Sequence, residues 1–184
     1  MLRRMLLFLA TSSAIVGPCR GEVANVGPSG FAVKHVVGIQ AAPENVYAVL
    51  IGKVKSWWNP EHTYSHDSGN LSIDARPGGC FCEKLGNGGG VEHMRVVFVS
   101  PGQVLRMAGA LGPLQGSGLA GSMTWKLSAA TGAAGATSLE FSYSVGGYMQ
   151  GGFEKIAPAV DGVLGDQLGR LKAYVETGKP SAKP

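Results

Sequence analysis

Six short runs of strand-forming residues, separated by glycine and proline, fill the chain between residues 71 and 145. Runs of this length with such punctuation are typical of an antiparallel sheet built from hairpins. The predicted strands are 71–76, 80–85, 91–99, 103–110, 121–128 and 137–145. A seventh strand, Phe31–Ile39, precedes them and is rich in β-branched residues. Apolar and polar residues alternate in several runs, which predicts a sheet with one buried and one wet face.

Two helical segments are predicted to accompany this sheet. The first opens at Ala42-Pro43-Glu44, because proline suits the first helical turn and glutamate suits the positive end of the helix dipole. The second runs from Phe153 to Val175 and carries an apolar stripe at spacings of three and four residues. The stripe consists of Ile156, Val160, Val163, Leu164, Leu168, Leu171 and Val175. This helix also contains three glycines on the other side, and each costs roughly 1 kcal/mol relative to alanine, so it must rely on packing.

The first 21 residues are predicted to be a secretory signal peptide. Arg3 and Arg4 precede a mostly apolar run from Met5 to Gly17, and cleavage is expected after Gly21. The run is too short to span a bilayer, which needs about 20 residues, although an uncleaved anchor is the alternative. We therefore expect a periplasmic or secreted protein with no stable membrane span after cleavage.

The rest of the chain is long enough for one domain with a real core. We predict a linker at 22–30, the domain at 31–177 and a flexible tail at 178–184. Signal removal takes away three of the 16 basic residues and none of the 12 acidic ones, so the remaining chain is nearly neutral. Because no basic stripe remains, nucleic-acid binding is not expected.

The predicted hairpin around Gly86 and Gly90 brings together two side chains that are capable of acid–base chemistry. With these glycines closing the loop, Glu83 lies directly opposite His93, close enough for a carboxylate and an imidazole to touch. If these residues are catalytic, His93 is the general base, Glu83 orients it, and Arg106 stabilises the developing negative charge. The sequence contains no nucleophile elbow or phosphate-binding loop that would support it further.

The turn Ser100-Pro101-Gly102 extends this register to the next strand and predicts which face is buried. Phe98 then pairs with Leu105, and Val96 pairs with Met107. The predicted inward-facing residues of these strands are Cys80, Cys82, Met94, Val96, Phe98, Leu105 and Met107. The two charged hairpin residues and Arg106 would share the convex, wet face. A catalytic role would require a local bulge or a strand crossing that turns them into a pocket.

Cys80 and Cys82 are interpreted as two small core residues. Cysteines two apart in a strand are near the upper limit of disulfide geometry, although export makes their redox state worth measuring. A metal site would need further ligands, and no second cysteine pair exists outside the signal. His62, His66 and Asp67 are only a weak metal pattern on a polar loop. No metal and no cofactor are expected.

Several segments give the chain a family resemblance. They are Ala42-Pro43-Glu44-Asn45-Val46-Tyr47, Trp57-Trp58, Arg76-Pro77-Gly78-Gly79-Cys80-Phe81-Cys82-Glu83, Leu111-Gly112-Pro113-Leu114-Gln115 and the final helix. Over residues 30–177 the chain resembles the SRPBCC superfamily, the START/Bet v 1-like helix-grip proteins. It is most similar to the bacterial branch grouped with Hsp90-ATPase-activator-like and polyketide-cyclase-like domains.

The resemblance implies an α+β helix-grip fold. In it, a curved antiparallel sheet of about seven strands wraps around a long C-terminal helix, with a short helical segment after the first strand. It also implies a mainly hydrophobic cavity between sheet and helix. The ligand-lining candidates carried over by position are Trp58, Met107, Leu114, Trp125, Phe141 and Tyr143. For Trp58, Trp125, Phe141 and Tyr143, ordinary core packing is the alternative.

The functional expectation is an exported protein that holds a small hydrophobic molecule or lipid in this cavity. Catalysis is the weaker expectation, as a cyclase or hydrolase that uses Glu83 and His93. A protein–protein interaction module, by analogy with co-chaperones of the fold, is the third. The sequence predicts neither the ligand's identity nor the oligomeric state.

Overall fold

A computed structural model describes residues 20–181, with side chains from Glu22 onward. Eight strands form one curved antiparallel sheet in the order β1-β2-β8-β7-β6-β5-β4-β3. Their bounds are β1 Arg20–Gly27, β2 Gly30–Ile39, β3 Leu71–Ile73, β4 Cys80–Lys84, β5 Gly90–Ser100, β6 Val104–Ala108, β7 Leu119–Ala129 and β8 Thr137–Gly147. The predicted signal peptide lies outside the described residues except for its last two positions.

Among residues 20–181, three α-helices accompany the sheet: α1 Pro43–Gly52, α2 Val54–Trp57 and the long α3 Ile156–Thr177. Helix α1 begins with Pro43 and Glu44 in its first turn, as the sequence predicts. Helix α3 ends where Gly178 takes a left-handed conformation, with φ of 76°. The chain is therefore an α+β protein in which a curved antiparallel sheet meets a C-terminal helix, an arrangement consistent with a helix grip.

The sheet has eight strands rather than the predicted seven, because most of the predicted linker is a strand. β1 pairs antiparallel with β2 and forms one edge of the sheet. Most of its described side chains are exposed, and Val26 is 41% exposed. An edge strand with so few buried residues lacks the apolar alternation by which strands are predicted, which explains the error.

Large aromatic side chains fill much of the interior on the inner side of the sheet. Trp125 and Phe141 pack edge to face, with ring centroids 4.6 Å apart. Trp57 of α2 packs on Trp125 at 6.2 Å, and Phe31 packs on Tyr143 at 6.5 Å. All five side chains are buried. This part of the interior is a filled core.

The segment that follows α2 is tied to α3 by polar contacts. The backbone N–H of Asn59 donates to Oε1 of Gln167 at 2.8 Å, and its side-chain amide donates to Asp166 at 2.8 Å. The guanidinium of Arg170 donates to the carbonyl of Trp57 at 2.9 Å. These bonds fix the start of the next loop relative to the helix, which matters because both border the cavity described below.

Two bulges in β5 change the register predicted for the central strands. Between Phe81 and Cys82 of β4 the pairing shifts, so that Phe81 faces Met94 and Cys82 faces Glu92. The extra residue on β5 is His93, and both His93 and Met94 are buried. A bulge of this kind inserts one unpaired residue and reverses the alternation of faces beyond it.

The bulge at His93 overturns the predicted orientation of β4. Phe81 and Glu83 point into the protein and are buried, whereas Cys80 and Cys82 lie on the other face and are half-buried. The two cysteines form a disulfide, with Cα atoms 5.4 Å apart. The interpretation of the cysteines as core residues is therefore wrong.

The second bulge lies between Val96 and Phe98 and turns Phe98 outward. Val96 pairs with Met107 as predicted, but Phe98 pairs with Arg106 instead of Leu105. Phe98 is 47% exposed, and the guanidinium of Arg106 lies 5.6 Å from its ring centroid. Phe98 therefore forms a cation–π pair on the outer face instead of lining the inner, apolar face as predicted.

Candidate functional site

A cavity of about 400 Å³ lies at one end of the interior, beside the N-terminal half of α3. This volume lies within the usual range of small-molecule sites. The lining residues are Trp58, Glu61, His62, Thr63, Tyr64, Phe81, His93, Leu111, Gly112, Pro113, Leu114, Ile156, Ala159, Val160, Val163 and Leu164. Most of them are apolar, and none of these described lining residues is lysine or arginine.

One rim of the cavity is the segment 59–66, here called the rim loop. Asn59 opens it, because its side-chain oxygen accepts from the N–H of Glu61 at 3.0 Å and caps a single 3-10 turn. The indole N–H of Trp58 donates to the carbonyl of His62 at 3.1 Å. Glu61, His62 and Tyr64 remain exposed at this rim. The rim loop is thus polar toward solvent, while the Trp58 ring beneath it lines the cavity.

The opposite rim is the turn 112–117, which leads into β7. The backbone N–H of Leu111 donates to the Tyr143 hydroxyl at 2.8 Å, and that hydroxyl lies 3.4 Å from the Gly109 carbonyl. Gln115 donates from its side-chain amide to the carbonyls of Glu92 and His93. Because of these anchors, buried Leu114 is held against the cavity.

A buried hydrogen-bonded dyad of Glu83 and His93 lies between the rims, and His93 lines the cavity. Nε2 of His93 lies 3.0 Å from Oε2 of Glu83. Glu83 is 2% exposed and His93 is 4% exposed. In the register, Glu83 faces Val91 rather than His93, and the contact forms because the bulge turns His93 inward. The predicted proximity of the two side chains is confirmed, but their predicted location on the wet face is wrong.

The rim loop supplies two further hydrogen bonds to Glu83. Its carboxylate accepts from the backbone N–H groups of Tyr64, at 3.0 Å, and Ser65, at 2.6 Å. Burial alone raises the pKa of this carboxyl, but the bonds from Ser65, Tyr64 and His93 outweigh burial and leave the pKa below its ordinary value. Glu83 is therefore ionised near neutral pH.

The His93 ring packs against two aromatic side chains. Its centroid is 5.0 Å from that of Phe81 and 6.0 Å from that of Tyr64, which stacks on it. Burial lowers the pKa of His93 below its ordinary value, although the bond and charge of Glu83 oppose this. The ring is therefore neutral near pH 7. Its second nitrogen, Nδ1, is buried and has no hydrogen-bond partner among residues 20–181.

The structure brings only some of the predicted site residues together. Trp58, Leu114 and His93 line the cavity, and Glu83 contacts His93 from behind. Arg106 lies on the exposed outer face, where it donates to the Thr124 hydroxyl at 3.0 Å. It cannot assist His93 from the opposite side of the sheet, so this part of the catalytic hypothesis is wrong.

Four of the predicted lining residues do not border the cavity. Met107, Trp125, Phe141 and Tyr143 are at most 2% exposed and belong to the filled core. The physical reason is that these large side chains occupy the gap between sheet and helix themselves. Tyr143 still contributes indirectly, since its hydroxyl anchors the turn 112–117.

Sequence reasoning missed Phe81 and Tyr64, which pack against His93 and line the cavity. Phe81 was missed because the cysteines on either side of it were assigned to the inner face. The N-terminal half of the apolar helix stripe is the sequence feature that could have located the cavity, since Ile156, Val160 and Val163 all line it. These side chains are only half-buried, which marks the part of the stripe that the core does not cover.

The described part of the chain contains neither a cluster of metal ligands nor a helix suited to crossing a membrane. Within residues 20–181, no three potential metal ligands from histidine, cysteine, aspartate and glutamate come together. None of the helices in the same range has the length and apolar character required to cross a membrane.

Comparisons with known proteins give fold information only. No protein-family model matches the sequence, and no curated protein matches it either. Solved structures do match. A conserved protein of unknown function, EF2215 from Enterococcus faecalis, is 18% identical with a TM-score of 0.60, covering 89% of this chain and 80% of that one.

Two further structures share the fold over most of their length. CalU16 from Micromonospora echinospora is 14% identical with a TM-score of 0.54, covering 89% of this chain and 86% of that one. CV1439 from Chromobacterium violaceum is 18% identical with a TM-score of 0.54, covering 79% of this chain and 96% of that one. At these identities the likeness establishes a shared fold of sheet and C-terminal helix.

Proposed function

We propose that this protein is an exported member of the SRPBCC superfamily that holds a small, mainly apolar molecule in the cavity beside α3. The observation that carries the proposal is the cavity of about 400 Å³, whose lining is mostly apolar and includes His93, the histidine of the buried dyad. Small-molecule sites typically combine an apolar lining with a few placed polar groups. The filled core beside it limits the ligand to one end of the interior.

Native mass spectrometry of the gently purified protein tests this function. We expect a small-molecule mass increment that disappears on denaturation. Ala159→Trp should abolish the increment, because Ala159 lines the cavity from α3. Gly162→Trp is the matched control, since it adds the same bulk to the same helix at an exposed position outside the cavity.

The result against binding is equally clear. The proposal is contradicted if the purified protein is empty and no member of a panel of lipids and small aromatic molecules changes its melting temperature. Retention of the increment in Ala159→Trp would contradict the assignment of the ligand to this cavity.

Export is supported by two features of different kinds. The first is the basic start and apolar run of residues 3–17. The second is the Cys80–Cys82 disulfide, because disulfides persist mainly in oxidising compartments. Cell fractionation and N-terminal sequencing of the full-length product provide the test. Recovery of the intact chain from the cytosol would contradict export.

Catalysis is a second candidate because His93 of the dyad lines the cavity. A neutral His93 whose Nε2 is bonded to an ionised Glu83 has the arrangement of an oriented general base. A cyclase or hydrolase would be assayed with a panel of esters, lactones and cyclisable polyketides. Turnover that His93→Gln removes and His62→Gln retains would support it. Equal rates in both variants would exclude the dyad as its source.

A further inference from the structure

The Cys80–Cys82 disulfide joins two residues that the sheet already holds in place. It encloses only Phe81, and β4 is paired with β3 on one side and with β5 on the other. In the chain-entropy account a disulfide stabilises a fold by closing a loop in the unfolded chain, and it does so more for longer loops. Because this loop contains only three residues, the disulfide adds little to the fold as a structural crosslink.

The disulfide also shortens β4. Residues two apart in an extended strand have Cα atoms about 6.6 Å apart, because each residue rises about 3.3 Å. The Cα atoms of Cys80 and Cys82 are only 5.4 Å apart, and the pairing with β5 shifts between Phe81 and Cys82. Reduction lets β4 extend again. The folded chain therefore favours the oxidised form less than it would favour a disulfide between residues already at bridging distance.

Both cysteines lie on the outer face of the sheet, where a reactant can approach them. Each is half-buried, and its backbone is hydrogen-bonded within the sheet, so its exposed area belongs mainly to the side chain. The residues directly opposite them on the neighbouring strands, Ser72, Glu92 and Arg95, are all exposed. β3 is the last strand of the sheet, so the disulfide is one strand from an edge. Exposed disulfides of this kind are the ones that undergo exchange.

Cys80 lies beside the positive charges of this face. Arg95 of β5 is directly opposite it, and the guanidinium donates to the carbonyl of Gly78 at 3.1 Å. On the side of β3, the N–H of Asp74 donates to the Cys80 carbonyl, and the Asp74 carboxylate is paired with Arg76 at 2.9 Å. A guanidinium nearby favours a thiolate over a thiol. Cys80 is therefore the sulfur that leaves more readily as a thiolate.

Cys82 has the opposite surroundings. Glu92 of β5 is directly opposite it, and neutral Ser72 of β3 is its neighbour on the other side. Glu92 also accepts from Arg95, and both groups are exposed, so solvent screening keeps the difference between the two cysteines modest. A carboxylate disfavours a thiolate at Cys82. The more favourable cleavage of the disulfide thus leaves the negative charge on Cys80 and the new S–S bond on Cys82.

We propose that Cys80–Cys82 is a thiol–disulfide exchange site that oxidises pairs of thiols. A reactant thiolate attacks Sγ of Cys82, the Cys80–Cys82 bond breaks, and Cys80 leaves as a thiolate that takes a proton from solvent. A second reactant thiolate attacks the reactant sulfur of the mixed disulfide, and Cys82 leaves as a thiolate that is protonated in turn. Two reactant thiols become one disulfide while the two cysteines become thiols. This activity does not depend on the cavity or on its ligand.

Equilibration of the full, unaltered chain with glutathione buffers tests the exchange, with thiol alkylation and peptide mass mapping as the readout. We expect reversible reduction, in which alkylated Cys80 and Cys82 increase with the ratio of reduced to oxidised glutathione. Mapping by peptide separates them from Cys19, the third cysteine of the chain. A disulfide that stays oxidised in a large excess of reduced glutathione, and opens only in urea, would be structural and would overturn the proposal.

The same assay distinguishes small thiols from protein thiols as the reactant. Reduced glutathione and a reduced, unfolded dithiol peptide are compared at equal thiol concentration, and each rate is divided by its rate with free cystine. A larger ratio for the peptide assigns protein thiols, and a larger ratio for glutathione assigns small thiols. Ratios well below one for both would show a disulfide shielded from reactants and would overturn the proposal.

Rapid alkylation during the first turnover tests the roles of the two sulfur atoms. After mixing with reduced glutathione, we expect the alkyl group on Cys80 and glutathione on Cys82, and the reverse pattern would overturn the assignment. Arg95→Gln should slow this step about threefold, because the leaving thiolate loses its guanidinium. Arg106→Gln removes another exposed arginine of the outer face and is the matched control. Equal rates in the two variants would overturn the role of Arg95.

Discussion

Gly165 of α3 lies against the ring of His35 on β2, so that a Cβ atom at Gly165 would stand 3.3 Å from Cε1 of His35. The same histidine approaches Oδ1 of Asp161 to 2.8 Å through its Nε2. The helix therefore passes close to the sheet at this point, and the close packing explains why a glycine suits position 165. The sequence placed all three helix glycines on the face away from the apolar stripe, and Gly165 departs from that prediction because it contacts the sheet.

The helix glycines give the first prediction. Gly162→Ala should raise the free energy of unfolding by about 0.5–1 kcal/mol, because alanine lowers the entropy cost of the helix and nothing lies within 4 Å of the new Cβ. Gly169→Ala should behave likewise. Gly165→Ala should raise the free energy of unfolding by less, or should lower it, because the new Cβ forces the His35 ring to move. Urea unfolding of the three variants checks this, and equal gains at all three positions would contradict the close contact.

Two buried tyrosines give the second prediction. Tyr143→Phe should lower the free energy of unfolding by about 1–2 kcal/mol, because the N–H of Leu111 loses its acceptor. Tyr47→Phe should be neutral or stabilising, because its hydroxyl is buried without a partner among the described residues. Burial raises the pKa of both phenols, that of Tyr143 to about 12. Thermal unfolding distinguishes the pair, and a larger loss for Tyr47→Phe would contradict the hydrogen-bond assignment.

The dyad gives a prediction for acid stability. Both Glu83 and His93 have pKa values below their ordinary ones, 4.5 and 6.5, so the unfolded chain binds their protons more readily than the folded one. Their contribution to stability is therefore present above those ordinary values. It is lost as the pH falls, first below 6.5 for His93 and then below 4.5 for Glu83.

Urea unfolding at a series of pH values between 8 and 4 measures this loss. The titratable groups that face His93 are Glu83 from β4 and the Tyr64 phenol from the rim loop. His93→Gln should flatten the pH dependence just below 6.5. His62→Gln, at the exposed rim, should leave it unchanged. A slope that is the same in His93→Gln and in the unaltered chain would show that His93 titrates normally.

The outward-facing disulfide gives a fourth prediction. Because Cys80 and Cys82 close a loop of only three residues, the bridge contributes roughly 1.5 kcal/mol at most. The double variant Cys80→Ser, Cys82→Ser should therefore fold and bind the same ligands, since neither cysteine lines the cavity. Thiol titration of the unfolded protein should rise by two groups on reduction. Loss of binding in the double variant would indicate coupling between the bridge and the cavity.

The sequence was most informative where the pattern is local. The alternation in Thr137–Gly147 and the stripe of α3 each follow from one element and its period, and both appear in the structure. The contact between Glu83 and His93 was anticipated from a wrong register, because a one-residue bulge leaves no signature in the chain. Whether a residue lines a cavity or fills a core depends on the distance between sheet and helix. That distance is set by the packing of Trp125 and Phe141 with their neighbours, which no single segment encodes.

The bulge at His93 also has a consequence for how related proteins can diverge. A single added residue in β5 turns His93 inward to meet Glu83 of β4, with no substitution at either member of the pair. Loss of the codon that creates the bulge would therefore turn His93 outward and leave Glu83 buried without its imidazole partner, and gain of that codon would do the reverse. In homologues of this fold, an alignment gap beside this histidine is expected to report on ligand chemistry more directly than the identity of any aligned side chain.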